Sequence, residues 1–242
     1  MIKKIIQWLL PTSCILCSDE VNSDLDLCYA CHKQLPNIKQ ACYRCAFPLY
    51  NDSNSHGICG ACLHKPPPYD HTIALCSYDE PIITFINLLK FSGQLKYAKL
   101  LNQLFIHFLQ SKKDYLNKLP EYIIPVPLHT QRLKERGFNQ ALELCRTIAN
   151  YFDIPIMPYS CQRIRATTSQ SLIDAKDRRN NMKNAFVINP AFHAKHIAIV
   201  DDVVTTGSTV AELSQLFKNH GVTQIDIWCY ARTVLHFPAH NT

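Results

Sequence analysis

No stretch of this sequence offers the roughly 18 consecutive apolar residues that a helix needs to cross a membrane. Low-complexity tracts are absent, and a composition of 47% hydrophobic and 18% charged residues is that of an ordinary globular chain. Acidic residues are sparse in one region above all. Residues 90–186 hold 7 Asp/Glu against 16 Lys/Arg, a net of +9, whereas 1–89 and 187–242 come to −2 and −1. An anionic partner is therefore expected at the middle of the chain. An export signal is wanting as well. The start, MIKKIIQWLLP, has a basic flank, but its apolar part is broken by Gln7 and stopped by Pro11, short of the ~7–15 residues of an export core. It reads as a short amphipathic helix leading into the next module, and the protein as cytoplasmic.

Cysteine, by contrast, is abundant. Eight of the 12 cysteines fall in residues 14–62 as four C-x-x-C pairs: Cys14/Cys17, Cys28/Cys31, Cys42/Cys45 and Cys59/Cys62. That spacing lets a tight turn aim both sulfurs at one ion, and two pairs complete the tetrahedral shell that zinc prefers. Three rival readings fit less well. A disulfide framework and the haem-attachment match Cys28-Tyr-Ala-Cys31-His32 both require export. A thioredoxin-like redox pair requires a strand–helix junction that is not visible here. Sequential pairing is expected, Cys14/Cys17 with Cys28/Cys31 and Cys42/Cys45 with Cys59/Cys62; a crossed arrangement or a single filled site stays open. His32, His56 and His64 read as bystanders. A Cys₄ shell leaves no open position for catalysis, so the module is structural or interactive, and metal must supply much of its folding energy. Cys76, Cys145, Cys161 and Cys229 read as buried free thiols.

At 242 residues the chain has room for a second, larger domain. From about residue 70, short branched apolar runs (Ile73–Cys76, Tyr122–Pro125, Ile197–Val200, Ile225–Tyr230) alternate with helical spacing over 83–109, 141–151 and 210–220. The pattern predicts an α/β fold: a mostly parallel twisted sheet with flanking helices over residues 68–242, preceded by a small zinc-ribbon domain over 1–67.

Ligands of such sheets sit outside the carboxyl ends of the strands. Residues 197–209, IAIVDDVVTTGST, occupy that place: an apolar run stops at Asp201 and Asp202, and Thr205, Thr206, Gly207, Ser208 and Thr209 lead into a helix. Main-chain N–H groups and hydroxyls converging at a helix N-terminus make a phosphate site, and Gly207 lets the backbone approach closely or take a positive φ. The lysine of G-K-[ST] is missing, which excludes a Walker loop. The aspartates repel phosphate but accept hydrogen bonds from vicinal hydroxyls well. A cis-diol close to a phosphate satisfies both halves, and ribose 5-phosphate has that shape.

The run V-D-D-V-x-T-T-G-S-T resembles the ribose-phosphate loop of type I phosphoribosyltransferases, which bind 5-phosphoribosyl-1-pyrophosphate. The resemblance implies Asp201 and Asp202 on the ribose hydroxyls and Thr205 to Thr209 around the 5′-phosphate. A narrower likeness spans residues 10–235: the cysteine pairs, L-K-F-S-G around Lys90, P-V-P-L-H-x-x-R-x-x-x-R-G-F-N-Q (125–140), R-x-x-x-T-x-x-Q (163–170), R-R-N-N-M-x-N-A-F (178–186) and the loop itself. In this order they resemble the ComF family of competence proteins. That family joins a zinc-ribbon head to a phosphoribosyltransferase domain and is linked to DNA uptake in natural transformation.

The resemblance supports Pro127–Arg132 as the pyrophosphate loop, with His129, Arg132 and Arg136 near the ribose site. Gly137-Phe138-Asn139-Gln140 caps the following helix or grips a sugar or base. Residues 163–183 carry Arg163, Arg165, Lys176, Arg178, Arg179 and Lys183 against Asp174 and Asp177. They form either a flap over a polyanionic ligand or, with Phe138, Tyr151 and Tyr159 as stacking partners, a surface for single-stranded DNA. Two functions follow. The favoured one binds 5-phosphoribosyl-1-pyrophosphate or a ribose-phosphate without turnover and handles single-stranded DNA, with helicase partners expected for a transformation system. The other transfers the phosphoribosyl group to an unidentified acceptor, with Mg²⁺ held mostly by the donor's own oxygens and pyrophosphate departure stabilised by Arg132, Arg136, Lys90 and the basic flap. Asp201 and Asp202 complete that set of catalytic candidates.

Overall fold

A computed structural model describes residues 12–21, 25–49, 57–165 and 184–233. Four parallel strands form the central sheet: β3 (His71–Ser77), β4 (Tyr122–Pro125), β7 (His196–Val204) and β8 (Gln224–Arg232), in the order β3-β8-β7-β4. Period-two alternation divides their side chains between two cores. Ala198, Val200, Trp228 and Tyr230 face one side, and Ile197, Ile199, Ile225, Ile227 and Cys229 the other. Both faces are covered, so the strands read as continuous apolar runs. On the first face lie α3 (Ile82–Ser92), α4 (Leu95–Ser111) and α7 (Gln140–Phe152). On the second, α8 (Ser208–Asn219) buries Val210, Leu213 and Phe217. Two short helices, α5 (Lys113–Leu116) and α6 (Thr130–Arg136), and a hairpin of β5 (Cys161–Arg163) with β6 (Phe186–Ile188), complete this part.

Two details differ from the sequence reading. Helical spacing over 83–109 predicts one helix, but the chain breaks at Gly93, which takes φ 60° and donates its N–H to the Leu88 carbonyl. A left-handed C-cap of this kind suits glycine, and it places Lys90 in the last turn of α3. The strand expected to stop at Val200 continues to Val204, because β8 keeps pairing with it through Val204↔Arg232. The acidic pair thus lies on the strand, where successive side chains point to opposite faces.

The cysteine-rich segment packs against this sheet in two halves. In the first, β1 (Thr12–Ser13) pairs antiparallel with β2 (Glu20–Val21), α1 (Tyr29–Lys33) follows, and Cys14, Val21 and Leu27 join the core of α3 and α4. Lys99 on α4 pairs with Asp26 at 2.7 Å. The second half, which holds α2 (Gly60–His64), covers the outer edge of β3. Ser77 donates its N–H to Pro36, Thr72 donates its own to Tyr43, and Asn37 bridges Cys76. An edge strand that would otherwise offer unpaired donors to another chain is closed in this way.

Candidate functional site

The loop between β7 and α8 is shaped by Gly207, which sits at φ 77° as the N-cap of α8. A Cβ there would meet the Tyr69 hydroxyl at 3.3 Å, so conformation and space both demand glycine. Thr206 Oγ1 accepts from the Ser208 N–H at 3.3 Å and lies 2.7 Å from the Ser208 hydroxyl. Gly207 supplies no side chain to cap α8, and a helix's first N–H groups lack intrahelical partners. Those beyond the Ser208 N–H, which Thr206 takes, remain available, with the helix dipole, for an anion.

Beside this loop stand the two acids. Asp202 is buried, and its Oδ2 pairs with Lys90 Nζ at 2.6 Å while its Oδ1 accepts the Val203 N–H at 2.7 Å. Asp201 accepts the Asp202 N–H at 3.0 Å. Burial, and then the neighbouring Asp202 carboxylate, push the Asp201 carboxyl up to about 8, against the pull of Lys90, that N–H and Arg163. Arg136 feels the field of Asp202, while burial draws its pKa down, and its guanidinium lies 5.6 Å from the exposed Phe91 ring. Arg163 is likewise lowered by burial and by Arg132, with Asp201 opposing, and lies over Phe186 at 5.6 Å. Lys90 from α3, Arg136 from α6 and Arg163 from the hairpin thus converge on the acids, with Arg132 close to the two arginines. The sequence reading offers Arg136 to the ribose site or to a nucleic-acid surface, and Arg163 to a ligand flap or to that surface; both stand within electrostatic reach of the acid pair.

Two residues that no local pattern reveals hold the loop in place. Arg232, buried at the end of β8, donates from Nη1 to the carbonyls of Val204 (3.0 Å), Thr205 and Thr233 (3.0 Å), and from Nε to that of Cys45 (2.9 Å). Tyr69, also buried, packs with Ala46 and Val204 in the same core. The second cysteine half is therefore the wall against which the loop between β7 and α8 is set.

Two groups of four sulfurs are assembled, Cys14/Cys17/Cys28/Cys31 and Cys42/Cys45/Cys59/Cys62, each within 4.8 Å. This is the sequential pairing expected from the sequence, and neither His32 nor His64 belongs to a group; His56 lies outside the described residues. No disulfide joins any of the twelve cysteines. Sulfur–sulfur distances of 3.6 Å, Cys17 to Cys28 and Cys45 to Cys59, fit a tetrahedron; Zn–S bonds of ~2.3 Å give an edge of ~3.8 Å. The Cys45 thiol and the Cys59 N–H hold the Cys42 thiol down at about 4, with burial opposing, so a thiolate ligand is ready at neutral pH. Cys76, Cys145, Cys161 and Cys229 are buried, as expected, and burial raises all four.

Other anticipated residues have plainer surroundings. His129 caps α6, its Nδ1 accepting the Gln131 N–H at 3.3 Å. Asn139 caps α7 and ties it to the Val126 carbonyl at 3.1 Å, which accounts for the amide before that helix. Phe138 packs on the core rather than standing free to stack, whereas Tyr151 and Tyr159 are exposed. Arg165 is exposed at the end of the described hairpin. Lys176, Arg178, Arg179 and Lys183, like the predicted N-terminal helix, lie outside the described residues. Among the described residues no helix is long and apolar enough to cross a membrane.

This arrangement defines a class: a parallel sheet with flanking helices, the loop between β7 and α8 braced by a double zinc ribbon. Residues 5–70 match the family model of the double zinc ribbon domain. The chain is 37% identical over 209 residues to the DNA utilization protein YhgH of Escherichia coli O157:H7, covering 86% of this chain and 91% of that one. It is 36% identical over 224 residues to competence protein F of Haemophilus influenzae, covering 90% and 96%. It belongs to that ComF family of competence and DNA utilization proteins. Among solved structures, an adenine phosphoribosyltransferase superposes on 56% of this chain and 71% of its own, with 14% identity and a TM-score of 0.36.

Proposed function

We propose that the loop of residues 205–209 and the acids Asp201 and Asp202 bind 5-phosphoribosyl-1-pyrophosphate or a related ribose-phosphate. The observation that carries this reading is the juxtaposition at the end of β7: a glycine-hinged helix N-terminus beside two carboxylates, one of them already paired to Lys90 at 2.6 Å. In this reading the first turn of α8 takes the 5′-phosphate, and the Asp202 carboxylate and the Asp201 carboxyl accept from the ribose hydroxyls. Lys90, Arg132, Arg136 and Arg163 face the pyrophosphate. Mg²⁺ is carried mostly by the donor's oxygens. The protein serves as a cytoplasmic DNA-handling factor that grips single strands with its basic middle, and its two modules divide near residue 67. Eight thiol ligands suit a reducing compartment. The naming of relatives for DNA utilization and competence supports that role.

A second reading is favoured by the cation cluster itself. Four positive groups around the place of a leaving pyrophosphate would stabilise its departure, as phosphoribosyl transfer requires. Titration calorimetry with the donor and magnesium tests the pocket, pyrophosphate release against the common bases tests turnover, and fluorescent single strands at several salt concentrations test DNA binding. A salt-independent affinity for the strands would remove the nucleic-acid half of the proposal.

A further inference from the structure

The amino-terminal end of the sheet carries a second opening. A cavity of about 960 Å³ lies between the second cysteine half and the start of β3 and β8, bounded outside by α4 and α5. From Asp226 on β8, which lines it, to Arg232 beside the anion loop the strand runs six residues, roughly 20 Å at ~3.3 Å each. This site is therefore separate from the ribose-phosphate loop.

Its polar interior is unusual. Asp226 is fully buried, and its Oδ2 accepts from Tyr115 Oη at 2.5 Å and lies 3.0 Å from His196 Nε2. Trp228 Nε1 donates to the same Tyr115 hydroxyl at 2.8 Å, fixing its orientation. The other carboxylate oxygen, Oδ1, has no hydrogen-bond partner among the described residues, and neither has Nδ1 of His71, the residue opposite Asp226 in the parallel register. Buried polar atoms are nearly always paired, so these two orphans mark a polar floor beneath the Tyr43–His71 stack. The walls are aromatic. The Tyr43 ring stacks on His71 at 4.1 Å and 17° yet remains 57% exposed. Phe108 lies under the Lys112 ammonium at 5.0 Å. Lysines 39, 112 and 118 stand in the lining against Asp114 and the buried Asp226, so an anion is favoured on the lysine side.

We propose that this cavity is a nucleotide site. The base stacks on the open face of Tyr43, the face away from His71, while the phosphate meets Lys39, Lys112 and Lys118. A purine covers more of the Tyr43 ring than thymine does and stacks on it more strongly. A stacking surface with lysines beside it takes a free nucleotide or one nucleotide of a single strand by the same chemistry. This inference stands apart from the ribose-phosphate reading and survives its failure.

Calorimetric titration of the full chain with dAMP, in excess ribose 5-phosphate to occupy the other pocket, tests it. One dAMP per chain is expected, with dTMP at least fivefold weaker. Tyr43→Ala should weaken dAMP tenfold or more and Lys112→Gln severalfold, with zinc content unchanged by elemental analysis. A labelled oligo-dA bound tightly and lost in Tyr43→Ala identifies a strand as the source; dAMP binding that the oligonucleotide does not displace identifies a free nucleotide. Absence of binding at millimolar dAMP, equal affinity in both variants, or heat that vanishes in ribose 5-phosphate would overturn the proposal.

Discussion

Arg232 Nε donates to the carbonyl of Cys45 at 2.9 Å, across 187 residues of sequence. Through its Nη1 the same guanidinium reaches the carbonyls of Val204 and Thr205, so a cysteine knuckle and the loop between β7 and α8 share one buried cation. Arginine suits this position because its planar fork serves several acceptors at once, which a lysine cannot. Arg232→Ala should cost roughly 3 kcal/mol by leaving carbonyls unsatisfied, a fall in Tm of about 6–12 °C in thermal denaturation. Arg232→Lys should keep the fold and both metal sites, yet weaken ribose 5-phosphate at least fivefold in titration calorimetry.

The same contact separates the two tetrads by function. Elemental analysis should find two zinc ions per chain, and Cys45→Ser and Cys17→Ser should each lose one. Ribose 5-phosphate affinity should drop markedly in Cys45→Ser. It should stay within about twofold in Cys17→Ser, because the first tetrad packs on α3 and α4, away from the loop.

Gly207 is constrained twice, by φ 77° and by Tyr69. Gly207→Ala should cost about 1–2 kcal/mol in denaturant unfolding and abolish phosphate affinity. Adding Tyr69→Phe removes the hydroxyl that a methyl would strike and should recover part of the stability but not the φ penalty. No recovery would mean that backbone strain alone accounts for the loss.

How much of this was legible beforehand depended on distance along the chain. The C-x-x-C pairs and the D-D-V-V-T-T-G-S-T run are local patterns whose spacing carries the chemistry, and they led to the tetrads and to the loop at the strand's end. Lys90 was marked only by the L-K-F-S-G motif, and the turn at Gly93 that ends α3 just beyond it was missed because apolar spacing runs on through the break. Arg232 and Tyr69 carry no signal in the sequence: one arginine ends an apolar strand, and its partners come from residues 45, 204 and 205. The acids proved to be strand residues because pairing with β8, rather than their own propensity, sets where β7 stops.

Asp201 makes a prediction about pH. Its carboxyl, pushed up to about 8, binds a proton in the folded chain that the unfolded chain has released; an unfolded aspartate titrates near pH ~3.9. The folded state thus binds more protons between these values, and this group's contribution to stability falls as pH rises from about 4 to about 8. Asp201→Asn should remove that slope, so the variant's advantage in Tm over the parent should grow through this window and level off above it. A constant difference across the range would refute the shift.

The most direct measurement is titration calorimetry of 5-phosphoribosyl-1-pyrophosphate with magnesium into the full chain, beside Asp202→Asn. Binding at one per chain is expected for the parent. In the variant, affinity should fall tenfold or more while zinc content and fold persist. No heat from the parent, or equal affinity in the two proteins, would contradict the assignment of the acid pair and its loop to a ribose-phosphate.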